Sequence, residues 1–193
     1  MSHFRVVQKL QDRFPEIEDW CSASGMEMTF TIKGQEAKTK TLLTAPNFFE
    51  FFDYKLLNGD KKKVLNAPNH MVVSKKFAQR YWPDGDAVGK EVVLGDEKDA
   101  DGHITYTVSG VMDDFDRSVI PDTYECVVNL ENLRHLHYSA YVETMNNAAS
   151  CVLFLMAKEG CDLQSKTTDM RDYLKTFFWI YRMEAVKELT LTQ

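Results

Sequence analysis

Four short patterns in this chain carry residue types that could do chemistry. Gly85-x-x-x-Gly89-Lys90 has the glycines and lysine of a phosphate-cradling loop. Such a loop needs four residues between its glycines, and a Ser or Thr after the lysine to hold magnesium. Here three intervene and Glu91 follows, with a charge that repels phosphate. A turn entering a strand is expected instead. His135-x-His137 could place two imidazoles on one side of a strand. A metal needs a third ligand and groups that orient all three. Glu131 and Glu143 are near in sequence, but nothing fixes their geometry, so surface histidines are expected. Asp113-Asp114-x-Asp116 opens like a calcium loop, but the glycine and closing glutamate of an EF-hand do not follow. A solvated acidic loop is the expectation. Ser109-Gly110 lies in a strand pattern, with no G-x-S-x-G elbow around it. The residues therefore nominate no catalytic, cofactor-binding or metal-binding site, and partner-binding residues are not assigned. The expectation is a protein that is not an enzyme and uses no cofactor.

Four cysteines, Cys21, Cys126, Cys151 and Cys161, form no C-x-x-C pair, so zinc-ribbon and thioredoxin chemistry drop out. They allow three full pairings, which the sequence leaves open. Isolated buried thiols carry more weight than disulfides, because 193 residues can fold around a core without staples.

The hydrophobic content of 44% is ordinary for a globular protein, and twelve Phe, eight Tyr and three Trp supply large core side chains. A net charge of -6 argues against a general nucleic-acid binder. The basic run Lys61-Lys62-Lys63 follows Asp60 and reads as a solvated turn. No run approaches the roughly 18 apolar residues of a membrane span. No apolar leader follows Met1-Ser2-His3.

The elements that must carry these residues follow from periodicity. Val7, Leu10 and Phe14 share a helix face over 4–14, stopped by Pro15. Ile17–Ser22 reads as a short extended piece, with Gly25 turning the chain. Met26–Ile32 alternates as a strand, Lys33-Gly34-Gln35 turns, and Glu36–Thr44 returns. Asn47 and Glu50 fit a capping-box start for a short helix. Its Phe48, Phe49, Phe51 and Phe52 read as a core plug. A brief extended segment ends at Asn58-Gly59, and residues 60–69 read as a loop. Met71–Val73 is a buried strand, Ser74 caps the next helix, and Pro83 ends it. Glu91–Leu94 is a strand, Gly95–Gly102 a charged loop, and Ile104–Met112 the far arm of a hairpin. Tyr124–Leu130 is a strand; residues 131–150 are irregular. Cys151–Ala157 suits a central strand. Asp162 caps a helix through Phe178, Trp179–Arg182 is extended, and Val186–Leu191 is a final strand. The order reads as two halves of one α/β layer around an inserted middle block.

The middle of the chain also resembles a known family. Phe48–Phe52 leads to Leu56-Leu57-Asn58-Gly59-Asp60. Next come Val72-Val73-Ser74 with the helix Lys75–Tyr81, then Trp82-Pro83, Asp86-Ala87-Val88-Gly89-Lys90, and Tyr106-Thr107-Val108-Ser109-Gly110-Val111. In this order the set is similar to the MacB-like periplasmic core domain of MacB/FtsX-type ABC transporter permeases. Residues 131–150 match least well. The resemblance implies a mixed α/β fold: a porter-like α/β subdomain from residues 1–44 and 124–193, and a mixed α+β subdomain inserted at 45–123. It implies an extracytoplasmic domain between two transmembrane helices, on the periplasmic face of the cytoplasmic membrane, in a homodimeric permease. Such a domain couples the ATP-driven cycle to a periplasmic substrate or partner. The implied partners are the transmembrane and nucleotide-binding parts of the same transporter, with a periplasmic adaptor, a lipoprotein or a cell-wall enzyme outside. The competing expectation is a free-standing α/β binding module that takes a peptide or lipid on an aromatic patch at Phe48–Phe52.

Overall fold

The fold is described from a computed structural model, for residues 5–99, 102–113, 115, 119–120, 123–134, 151–183 and 188–191. The chain divides into two compact units, residues 1–22 with 140–193, and residues 23–139. The architecture is mixed α/β, with an eight-stranded sheet.

The middle unit is built on pairings that close on themselves. β1 (Ile17–Ile32) pairs antiparallel with β2 (Gln35–Thr44), from Ala23↔Thr44 to Ile32↔Gln35. The tip residues Lys33 and Gly34 have φ of 49° and 78°, the left-handed geometry of a two-residue hairpin turn. Lys33 Nζ donates to the Tyr81 carbonyl at 2.8 Å, which occupies an open carbonyl at a helix end. β2 runs parallel to β7 (Cys126–Asn129) through Thr41↔Cys126. β7 is antiparallel to β4 (His70–Ser74), and β4 is parallel to β6 (Gly102–Met112). β6 is antiparallel to β5 (Glu91–Asp99), which returns to β1 at Phe30↔Leu94 and Thr31↔Val93. Closure of this kind removes exposed strand edges. β3 (Leu56–Asn58) adds to β6 outside the ring.

β4 and β7 are buried along nearly their whole length, and Phe30, Leu43, Tyr106 and Val108 join them in the core. Phe30 and Tyr106 meet edge to face at 6.0 Å. The 60–69 segment is tied down by buried amides. Asn129 Nδ2 donates to Leu65 O at 2.9 Å, and Asn132 Nδ2 donates to Pro68 O at 2.7 Å. Tyr106 Oη donates to Asn132 Oδ1 at 3.1 Å. These bonds hold a largely exposed segment against the core through its buried Leu65.

The other unit packs α1 (Val6–Arg13), the start of β1, β8 (Val152–Ala157), a 3-10 turn at Gln164–Lys166, α4 (Thr167–Phe177) and α5 (Trp179–Arg182). Val6, Leu10, Phe14 and Ile17 meet Leu163, Met170, Leu174 and Phe178 in one core. Leu153, Leu155 and Ala157 of β8 pack against it. Asp162 Oδ1 accepts from Gln164 N at 2.9 Å ahead of the 3-10 turn, but it does not cap α4, which begins only at Thr167 after Lys166.

Several expectations are corrected. Gly25 does not turn the chain, since β1 runs through it without a break. The charged run after Leu94 forms strand on both arms, with Lys98↔His103 and Asp99↔Gly102 paired. Asn47 makes no side-chain cap on α2 (Phe48–Phe51). Cys151–Ala157 is not a central strand: β8 ends the sheet path, with Val152 59% exposed. Its apolar run packs on one face only, through alternate residues. Trp179–Arg182 is helical, held where the Arg182 guanidinium donates to Lys175 O and Thr176 O. Residues 188–191 form no strand, although Leu189 and Leu191 pack on the core as alternation requires. Residues 35–44 and 126–129 form β2 and β7, which pair with each other within the unit of residues 23–139. Strand pairing over more than 80 residues leaves no local trace in the sequence.

Candidate interaction surface

The aromatic helix α2 stands out by composition. Phe48 and Phe49 are fully buried, with ring centroids 5.1 Å apart and edge-on. Phe48 also meets Phe52, Tyr54 and Phe115 at 5.3, 5.3 and 6.1 Å. Phe51, Phe52 and Tyr54 are half-buried around them. The cluster is a core plug, as its density implies; it does not present all four phenylalanines to a ligand. The lysine run that follows is matched by carboxylates. Lys61 Nζ lies 2.5 Å from Asp53, Lys62 4.0 Å from Glu50 and Lys63 3.6 Å from Asp60. Lys61 holds the Asp53 carboxyl below the usual range.

The loop at Gly85–Lys90 is a turn into a strand. Gly89 N donates to Val108 O at 2.7 Å, and Val108 N donates to Lys90 O at 2.8 Å. Gly89 has φ of 83°, and Asp86 Oδ1 accepts from Val88 N at 2.9 Å. These backbone groups are committed to the sheet, not aimed at an anion. Ser109 Oγ lies 2.6 Å from Val64 O and 3.1 Å from Met71 O, so its hydrogen is shared by two carbonyls. It is a loop anchor. His135, His137, Glu143, Asp114 and Asp116 lie outside the described residues. Asp113 is held 3.7 Å from Lys55 Nζ. Among the described residues no three His, Cys, Asp or Glu side chains converge. None of the four cysteines is in a disulfide: Cys21 and Cys126 are buried, Cys151 half-buried and Cys161 exposed. Burial, helped by the charge of Glu125, pushes the Cys126 thiol well up.

The feature that the sequence does not announce lies where β4 and β6 end and β7 begins. A cavity of about 320 Å³ opens there, lined by residues that include Lys40, Lys76, Met112, Phe115 and Tyr124. Beside it, Arg80 grips Glu125 with two parallel bonds, Nη2 to Oε1 at 2.7 Å and Nη1 to Oε2 at 3.2 Å. Thr39 Oγ1 adds a third at 3.0 Å. That fork fixes the start of β7 on α3 (Lys75–Tyr81) and β2. In the terminal unit a more polar cavity of about 590 Å³ is lined by Arg13, Glu16, Lys166, Asp169 and Asp172 among others. There a backbone hydrogen bond and then Lys166, at 3.2 Å, hold the Glu16 carboxyl low. No helix among the described residues is long and apolar enough to cross a membrane.

Taken with its fold, the chain falls in the class of extracytoplasmic domains of transporter permeases. It superimposes on a domain assigned to a permease protein of Porphyromonas gingivalis at TM-score 0.67 and 17% identity, covering 86% of this chain and 68% of that one. The periplasmic region of MacB from Actinobacillus actinomycetemcomitans aligns at TM-score 0.66 and 9% identity, covering 95% and 76%. The extracellular domain of the noncanonic ABC-type transporter YknZ from Gram-positive bacteria aligns at TM-score 0.62 and 14% identity, covering 89% and 81%. At such identities the likeness is one of fold. No curated protein sequence matches.

Residues 3–173 match the MacB-like periplasmic core domain family, and the chain belongs to that family. It is the periplasmic domain of a MacB/FtsX-like ABC transporter permease, on the extracytoplasmic side of the membrane. The family is one of transporter domains and not an enzyme class. A permease of this type implies transmembrane and ATP-hydrolysing partners.

Proposed function

We propose that this domain carries the ATP-driven cycle of its permease to a substrate or partner outside the membrane, as one of two copies in a homodimer. The family match over residues 3–173 carries the reading, with the fold shared with MacB and YknZ in support. In this reading the unit formed from both ends of the chain is the porter-like part, and the middle unit is the insert that meets the partner. Adaptor, lipoprotein and cell-wall enzyme are the partner classes to distinguish. A coupling role requires two arrangements of the domains whose balance shifts with nucleotide.

The test uses the full-length permease in lipid nanodiscs, spin-labelled at exposed Asp84. Interspin distances are measured without nucleotide, with ATP, and with a trapped hydrolysis state. A distance distribution between two copies that shifts with nucleotide supports the reading. A dimer signal that is the same in every state overturns coupling, and the lack of any interspin signal overturns the dimer.

A further inference from the structure

We propose that the cavity at the ends of β4 and β6 is a binding site for a small amphipathic carboxylate, with Lys40 as the anion contact and Met112, Phe115 and Tyr124 as the apolar wall. The volume, about 320 Å³, falls at the lower end of the range for small-molecule sites. Its lining sets the side chains of Met112, Phe115 and Tyr124 beside polar and charged groups that can fix a ligand's orientation.

Charge selects the ligand. Among the described residues two carboxylates line the cavity, and each is bound by a cation: Asp113 by Lys55, Glu125 by the Arg80 fork. Among the described residues no carboxylate pairs with Lys40, so this lining cation is left to meet an anion that comes from solution. Lys76 adds positive charge to the same wall.

The aromatic wall is built in. A β-carbon on Gly25 would stand 2.7 Å from Tyr124 Cζ and 2.8 Å from Cε1, with the phenolic oxygen closer still. Any larger residue at 25 displaces the Tyr124 ring. Gly25 lies mid-strand, opposite Leu42, where glycine is otherwise unfavourable. The strand keeps a glycine where the ring needs the room.

The experiment titrates the 193-residue chain, labelled with ¹⁵N, with sodium octanoate and separately with N-acetylphenylalanine, against sodium chloride at equal ionic strength. Octanoate stands for acyl carboxylates and the acetylated amino acid for peptide termini. Saturable shifts centred on the amides of Lys40, Ser74, Lys76, Tyr124 and Glu125, for either probe, are expected. Lys40→Ala, an exposed position whose loss leaves the core intact, should weaken binding at least about tenfold, the worth of one charge-assisted hydrogen bond. Lys62→Ala should leave it unchanged. Absence of saturation by both probes at millimolar concentration overturns the site, as does equal binding by parent and Lys40→Ala. Shifts matched by sodium chloride overturn it too.

Discussion

Tyr124 lies over Gly25, in space that a β-carbon on that glycine would fill. The contact joins the start of β7 to β1 across the hairpin, between segments 99 residues apart in sequence. Gly25→Ala should therefore destabilise the middle unit by about 1–3 kcal/mol, the usual cost of forcing a side chain into filled space. Tyr124→Ala in the same chain should recover part of that loss. The urea midpoints of the two single variants and the double variant give the coupling directly.

Two other glycines separate conformation from space. Gly34 and Gly85 both have open space where a β-carbon would stand, yet Gly34 has φ of 78° and Gly85 has no such geometry. Gly34→Ala should cost about 1–2 kcal/mol from backbone strain alone. Gly85→Ala should stay within about 0.5 kcal/mol of the parent. Equal costs in a urea melt would contradict this account of the hairpin.

The amide of Asn132 serves the carbonyls of Pro68 and Asn129 while its oxygen accepts from Tyr106. Asn132→Ala takes the partner from the buried Tyr106 hydroxyl and removes a buried bond to Asn129 O, and should cost about 2–4 kcal/mol. Hydrogen exchange should show the protection lost first along the 60–69 segment, before β4 and β7. Uniform loss would mean that the network is not a local clamp.

Cys126 makes stability fall at alkaline pH. Its thiol is held neutral by burial first and by the Glu125 charge second, so its value in the fold is raised. The stability tied to it is complete below the ordinary thiol value. It is lost as pH rises above that value, because only the unfolded chain then gains by ionising. The fall should set in between about pH 7 and pH 10, the range over which the unfolded thiol, ordinarily near 8.5, ionises. Cys126→Ala should flatten that part of the urea–pH profile whatever its own stability. Buried Tyr106, raised by the same cause, adds a slope only at higher pH.

What could be read from the sequence was local. The hairpin at Lys33-Gly34, the Ser74 cap on Phe77 N and the apolar stripe of Leu163, Met170 and Leu174 are each set by residues within a few positions of one another. The aromatic plug was legible for the same reason. The parallel pairing of Thr41 with Cys126 was not, because neither strand's alternation names its neighbour. Gly25 misled for a physical reason: a missing side chain marks a turn or a close approach equally well, and only Tyr124 decides which. The cavity beside Lys40 draws its lining from residues 40 to 125, and no motif spans that distance. The family likeness reached further because it uses the order of many weak segments at once.

Four-residue β7 is the keystone of the ring. Both of its neighbours, β2 and β4, were made more than 50 residues before it, and neither pairs with the other in its place. Until residues 126–129 have crossed the membrane, these two strands each hold an unsatisfied edge. Such edges invite pairing with other chains. Ring closure is therefore a late event that joins distant segments, the kind that folds slowly. For a domain that must reach its shape outside the cytoplasm, the most vulnerable interval is the time between the appearance of β4 and the arrival of β7.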